Sequence, residues 1–235
     1  MLIRTLLLLC AALVACSSSS SDDRPTPIPQ PRPYVAVHFY DERALIPEFR
    51  RLPPGDPADA IVALLLDGPR TPGLETAIPE KAELVSATEA DEGLLLEMSA
   101  DFWRGPPEEL RRRAAQVVFT VAGIEEGRSV TLLDGLVPGR VPGTGAQPLD
   151  RDDFLALRPW IEVVQPVAGA LVANPMPVLT FVRGGAPVHV EIFAGGEVVG
   201  RGRDDSVAWD TDASRGVVRI TTDGHKVDVP VVFAR

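Results

Sequence analysis

Few residues of this chain could do chemistry on their own. It has three histidines, His38, His189 and His225, and two cysteines, Cys10 and Cys16. No histidine has a second one at metal-ligand spacing, so no zinc site is expected. There is no Gly-x-Ser-x-Gly, and so no nucleophile elbow. Acidic residues gather at Asp150, Asp152 and Asp153, and again at Asp204, Asp205, Asp210 and Asp212. Calcium could use such oxygens, but the EF-hand spacing is missing. Helix capping explains the first group and solvated turns the second. The expectation is therefore no catalytic residue, no metal and no cofactor. A carboxylate pair acting on wall glycan stays open, because any two of the many acids could meet in a fold.

Cys16 is different, because of what precedes it. Arg4 gives a charged start, residues 6–15 are apolar or small, and a serine run follows at 17–21. That order is a secretory signal peptide, and the apolar run is about half the ~20 residues of a spanning helix. An ordinary secreted protein with an incidental Cys would share it. Leu13-Val14-Ala15-Cys16 resembles the bacterial lipobox. The resemblance implies cleavage after Ala15, a diacylglyceryl thioether on Cys16, and attachment outside the cytoplasmic membrane. With Cys10 removed and Cys16 acylated, the exported body would hold no disulfide, so its cores must suffice.

The chain has 235 residues, is 45% hydrophobic, and carries a formal charge of −10. This length allows one ordinary domain and a small one. The acidic balance argues against nucleic acid and against electrostatic docking to anionic lipid, but leaves acyl anchoring open.

The elements that would position any site follow in order. Residues 16–33 read as a lipidated Cys and a linker, with Pro25, Pro27, Pro29, Pro31 and Pro33 at alternate positions. Residues 34–40 alternate as a strand. Asp56 and Pro57 start a helix that Gly68-Pro69 stops. Residues 82–90 and 93–100 form a hairpin around Asp91-Glu92-Gly93. Pro106 and Pro107 open a second helix, whose apolar face is Leu110, Ala114, Val117, Val118 and Val121 and which Gly123 ends. Residues 128–133 are a strand, and Asp150 caps a short helix through Leu157. The resulting β-α-β-β-α-β order predicts an α+β fold, a small mixed sheet with helices packed on it. From Trp160 on, short β-rich runs separated by turns predict a small all-β sandwich.

Val37-His38-Phe39-Tyr40-Asp41, Leu65-Leu66-Asp67-Gly68-Pro69 and the 73–79 segment Gly-Leu-Glu-Thr-Ala-Ile-Pro are similar to signatures of the sporulation and spore-germination (GerMN) domain. Residues 93–102, 116–120 and 130–135 carry the likeness further, over 34–157. Residues 160–235 resemble the immunoglobulin-like domain of bacterial spore germination, through Gln165-Pro166, Gly169, Asn174-Pro175 and Asp223-Gly224. The resemblance implies an exported, membrane-anchored lipoprotein without assigned catalysis, and offers no catalytic residue.

Two classes of function follow. One is a non-catalytic binding or scaffold module of the cell envelope, with an envelope protein or the cell wall as partner. The other is an envelope hydrolase acting on wall glycan. For the first, Phe119 is the expected contact. At 100° per residue it lies opposite Leu110, on the side of Arg112 and Ala115, where an exposed aromatic would mark a partner surface. That surface would meet another chain or the tail domain; the competing expectation is a helix covered on both sides within its own domain.

Overall fold

The computed structural model describes residues 32–42, 44–122, 127–203 and 206–234. The signal segment, Cys16 and residues 17–31 lie outside them, as do Gly123, Asp204 and Asp205.

Strand β1 (Tyr34–Asp41) pairs antiparallel with β2 (Ala44–Arg51), from Tyr34 against Arg51 to Asp41 against Ala44. β2 is an addition to the expected order. Its Pro47 obscures the strand pattern, and the position is tolerated because β2 is an edge strand of a two-stranded sheet. The first strand therefore lies in a hairpin of its own, outside the four-stranded mixed sheet. Helix α1 (Pro57–Leu66) starts as expected: the Asp56 side chain accepts from the backbone N–H of Ala58 and Asp59, and proline holds the first helical position. β3 (Leu84–Ala90) and β4 (Gly93–Met98) form the expected hairpin. A single turn, α2 (Ala100–Trp103), precedes α3 (Pro107–Val121). β5 (Val130–Asp134) joins β4 in parallel, and the two-residue β6 (Val137–Pro138) closes the sheet order β3-β4-β5-β6. Asp150 caps a 3-10 helix, Arg151–Leu157, through a capping box with Asp153.

The first core unites β1, both long helices, the four-stranded sheet and the 3-10 segment, with Phe39, Leu65, Leu96, Phe102, Val118 and Phe154 fully buried. α3 runs through its centre. Every side chain from Arg113 to Val121 is buried.

The rest is all β. A five-stranded sheet has the order β12 (Glu197–Arg203), β11 (His189–Ala194), β14 (Arg215–Thr222), β15 (His225–Phe233), β8 (Leu171–Val172). Its pairs are antiparallel except β15 with β8. Two short pairs complete it: β7 (Ile161–Gln165) with β10 (Leu179–Val182), and β9 (Met176–Pro177) with β13 (Ser206–Val207). Alternate residues of β15, namely Val227, Val229, Val231 and Phe233, point inward with Ile161, Met176 and Val207, as strand periodicity requires. Ile46 of β2 is buried in this second core.

Candidate functional site

The segments 65–69 and 73–79, singled out by their motifs, are held by buried polar side chains. Arg50, 4% exposed, donates from Nη1 to the carbonyl of Leu64 and from Nη2 to that of Gly68, both at 2.6 Å. Its Nε bonds Glu48 Oε1 at 2.6 Å, and Glu48 Oε2 accepts from the backbone N–H of Arg70 and Thr71. Burial pushes the Glu48 carboxyl up, but the hydrogen bonds from Arg50 and Thr71 outweigh it and leave the group below its ordinary range. Arg113 donates to the carbonyls of Ala77, Phe102 and Arg104 and pairs with Glu109. Gln116 accepts from the Ala77 N–H at 2.9 Å, and Thr120 Oγ1 from the His38 N–H at 3.0 Å. Arg50 thus closes the end of α1, and α3 grips both the 73–79 loop and the turn after α2.

A cleft of about 700 Å³ opens where β1, α3, the 3-10 segment and the all-β region meet. Asp41, Arg112, Trp160, Arg183 and His225 shape it. His225 Nδ1 lies 3.1 Å from Asp41 Oδ2, and its ring sits 4.9 Å from that of Trp160. Arg183 lies over the Trp160 ring at 5.8 Å and donates to the carbonyl of Ala156. Arg112 lies 4.2 Å over the Tyr40 ring, while the Tyr40 hydroxyl donates to the Arg112 carbonyl at 2.9 Å. Burial raises the Tyr40 phenol well above its ordinary range, which keeps it a neutral donor. Trp160 Nε1 is buried with no hydrogen-bond partner among the described residues. The two guanidiniums are fixed by backbone carbonyls and aromatic faces, so they are presented in set positions to a polar ligand.

Residues 34–135 match the family described as "Sporulation and spore germination" (Germane). This region is GerMN-like. No curated protein matches the chain in sequence. Several solved structures resemble it, three of which follow. Tandem GerMN domains of the sporulation protein GerM from Bacillus subtilis share 13% identity at a TM-score of 0.43, covering 85% of this chain and 60% of that one. A candidate lipoprotein from Clostridium perfringens shares 17% at 0.36, over 51% of this chain and 88% of that one. An engineered protein shares 22% at 0.27, over 55% and 27%.

Within the GerMN-like region, the expected contact residues fall out differently from the sequence reading. Phe119 is 2% exposed and Ala115 is fully buried, which corrects the expectation of an exposed aromatic. The side of α3 opposite Leu110 is covered by β1 and the 3-10 segment: the His38 ring lies 5.8 Å from Phe119, and the Arg151 guanidinium 5.5 Å over its face. Arg112 alone of the three reaches the cleft. His38 is also buried. Burial pushes its imidazole down to about 3, Arg151 adds to this, and Nδ1 has no hydrogen-bond partner among the described residues. His189 is exposed at the start of β11. Asp150, Asp152 and Asp153 build the capping box and an ion pair from Asp152 to Arg158. No group of potential metal ligands occurs among the described residues. Asp41, Trp160, Arg183 and His225 were not singled out by the sequence as a set, since nothing local connects residues 184 positions apart.

Proposed function

We propose that this chain is an exported lipoprotein, anchored through Cys16 at the outer face of the cytoplasmic membrane, whose body is a non-catalytic binding or scaffold module of the envelope. Its parts are a signal peptide over 1–15, a lipidated Cys and linker over 16–33, a GerMN-like domain over 34–157 and an immunoglobulin-like sandwich over 160–235. One observation carries the binding role. Buried polar side chains in and beside the GerMN-like signatures are spent on backbone: Arg50 on Leu64 and Gly68, Arg113 on Ala77, Phe102 and Arg104, and Gln116 on Ala77. They shape a scaffold, and the fixed charges left facing solvent line the cleft. The charged-apolar-lipobox order supports the anchor. Among the described residues no helix is long and apolar enough to cross a membrane.

Metabolic labelling with a fatty-acid probe tests the anchor. The wild type takes label and Cys16→Ser does not; persistent label on the variant overturns the assignment. A pull-down from solubilised envelope, run beside a wall-digestion assay, tests the role. Capture of an envelope partner that is lost in Arg112→Glu with Arg183→Glu supports the binding module. Turnover of wall glycan abolished by one carboxylate substitution makes the protein a hydrolase instead.

A further inference from the structure

We propose that the cleft binds a short peptide carrying both ammonium and carboxylate groups, with Arg112 and Arg183 taking the carboxylate and Glu42 and Glu108 the ammonium. The proposal rests on the reading of the body as a binding module and names the chemistry of its ligand.

The mixture of charges in the lining selects this class. The guanidiniums of Arg112 and Arg183 and the His225 ring share the cleft with the carboxylates of Asp41, Glu42 and Glu108. A purely anionic ligand would bring its charge against the carboxylates, and a purely cationic one against the guanidiniums. A ligand of both signs satisfies the two sets together. His225 engages Asp41 at 3.1 Å, which leaves Glu42 and Glu108 as the acids for an incoming ammonium. Both are exposed, and neither joins an ion pair among the described residues.

The cations are held without being used up. Arg183 donates to the carbonyl of Ala156 at 3.1 Å and lies over Trp160. Arg112 donates to the carbonyl of Glu42 at 3.4 Å and lies over Tyr40. A guanidinium has more N–H donors than one carbonyl accepts, and the remainder suit a carboxylate, which takes parallel N–H bonds.

Glu42 adds an independent sign. Its φ is +53°, in the left-handed region, within the tight turn that joins Asp41 to Ala44. Glycine or asparagine adopts that conformation at little cost, glutamate at more. The chain nevertheless sets a carboxylate there, at the cleft. Backbone strain of this kind gathers at ligand sites. Size and aromatics narrow the class further. A cleft of about 700 Å³ lies within the range of small-ligand pockets, room for a few residues of peptide. The Trp160 ring already carries His225 at 4.9 Å and Arg183 at 5.8 Å, so a sugar would have to compete for its faces.

Stem peptides of the wall and short peptides of protein origin both carry this chemistry, and the test separates them. The full chain, solubilised in detergent and immobilised, is offered a library of tripeptides with free ends and, separately, stem peptides released from cell wall by an amidase. Each probe is applied unblocked, with its amines acetylated, and with its carboxyls amidated. The unblocked form of at least one probe is expected to be retained, about tenfold more weakly after either block, since each removes a charge-assisted contact. The probe retained identifies the source. The penalty for acetylation should shrink several-fold in Glu42→Gln, and the penalty for amidation in Arg183→Gln. Both positions are exposed, and unchanged circular dichroism confirms that each variant is folded; the blocking arms need no variant at all. No retention of either probe, or retention that survives either block, overturns the proposal. Penalties unchanged in both variants put the peptide elsewhere and overturn it too. If an envelope partner dependent on Arg112 and Arg183 is still captured, the binding module stands without this ligand. If the stem peptide is cleaved instead of held, the binding-module reading falls with the proposal.

Discussion

In the first core, His38, Arg50, Arg113, Gln116 and Thr120 are buried, and four of the five bond through their side chains to backbone atoms. In the second core the buried polar side chain among the described residues is Thr222, which donates to the carbonyl of Pro187 at 2.9 Å. The difference follows from the way each region satisfies its peptides. A sheet pairs backbone with backbone, so a run of strands needs little help from side chains. The GerMN-like region instead carries partly exposed segments, 67–83 and 99–106, where few carbonyls and N–H groups beyond the Tyr40–Glu75 bridge join a ladder. Long polar side chains on β2 and α3 reach out to them.

This contrast can be broken by experiment. The largest effect is expected from Arg113→Met, which keeps most of the aliphatic stem and strands the carbonyls of Ala77, Phe102 and Arg104. A loss of about 3–5 kcal/mol in urea-measured stability is expected, since a buried polar group left unpaired costs about 1–3 kcal/mol. Next is His38. Its folded-state value of about 3 lies below the unfolded value of 6.5, so the unfolded chain takes up a proton before the folded one does. The neutral ring's contribution is complete above pH 6.5 and is lost as pH falls towards 3, at up to about 1.4 kcal/mol per pH unit. Between pH 7.5 and 5 the wild type should lose about 2 kcal/mol that His38→Phe keeps, in a range where most carboxylates are still ionised. An identical pH slope in the two proteins would remove His38 as the cause. The smallest effect is expected from Thr222→Val, about 1 kcal/mol by thermal melting. If it matched Arg113→Met, the two cores would depend equally on side-chain bonds to backbone.

Much of this was readable from the sequence where the cause is local. Asp56 before Pro57, Asp150 three positions before Asp153, and the acidic turn at 91–93 each decide a cap or a turn by neighbours within four residues. β2 was missed because Pro47 reads as a breaker, and only its place on an edge strand excuses it. Phe119 was misplaced for another reason. Helical periodicity gives the angle of a side chain about its axis, but not how many neighbours surround the helix, and α3 has them on every side. The cleft was invisible for the same kind of reason: Asp41 and His225 meet only after the whole chain has folded.

The placing of Ile46 in the second core has a consequence for the order in which the molecule can be completed. The hairpin β1–β2 is synthesised well before β15, yet Ile46 shares its core with Val229, Val231 and other inward residues of the all-β strands. Asp41 likewise waits for His225. Contacts of such sequence separation are slow to form, because most of the chain must be ordered before they close. A chain halted anywhere before β15 would hold a hairpin with one face finished and one face bare. The seam near residues 157–160, so plain in the texture of the sequence, is therefore not a place where the protein could be divided into two self-sufficient halves.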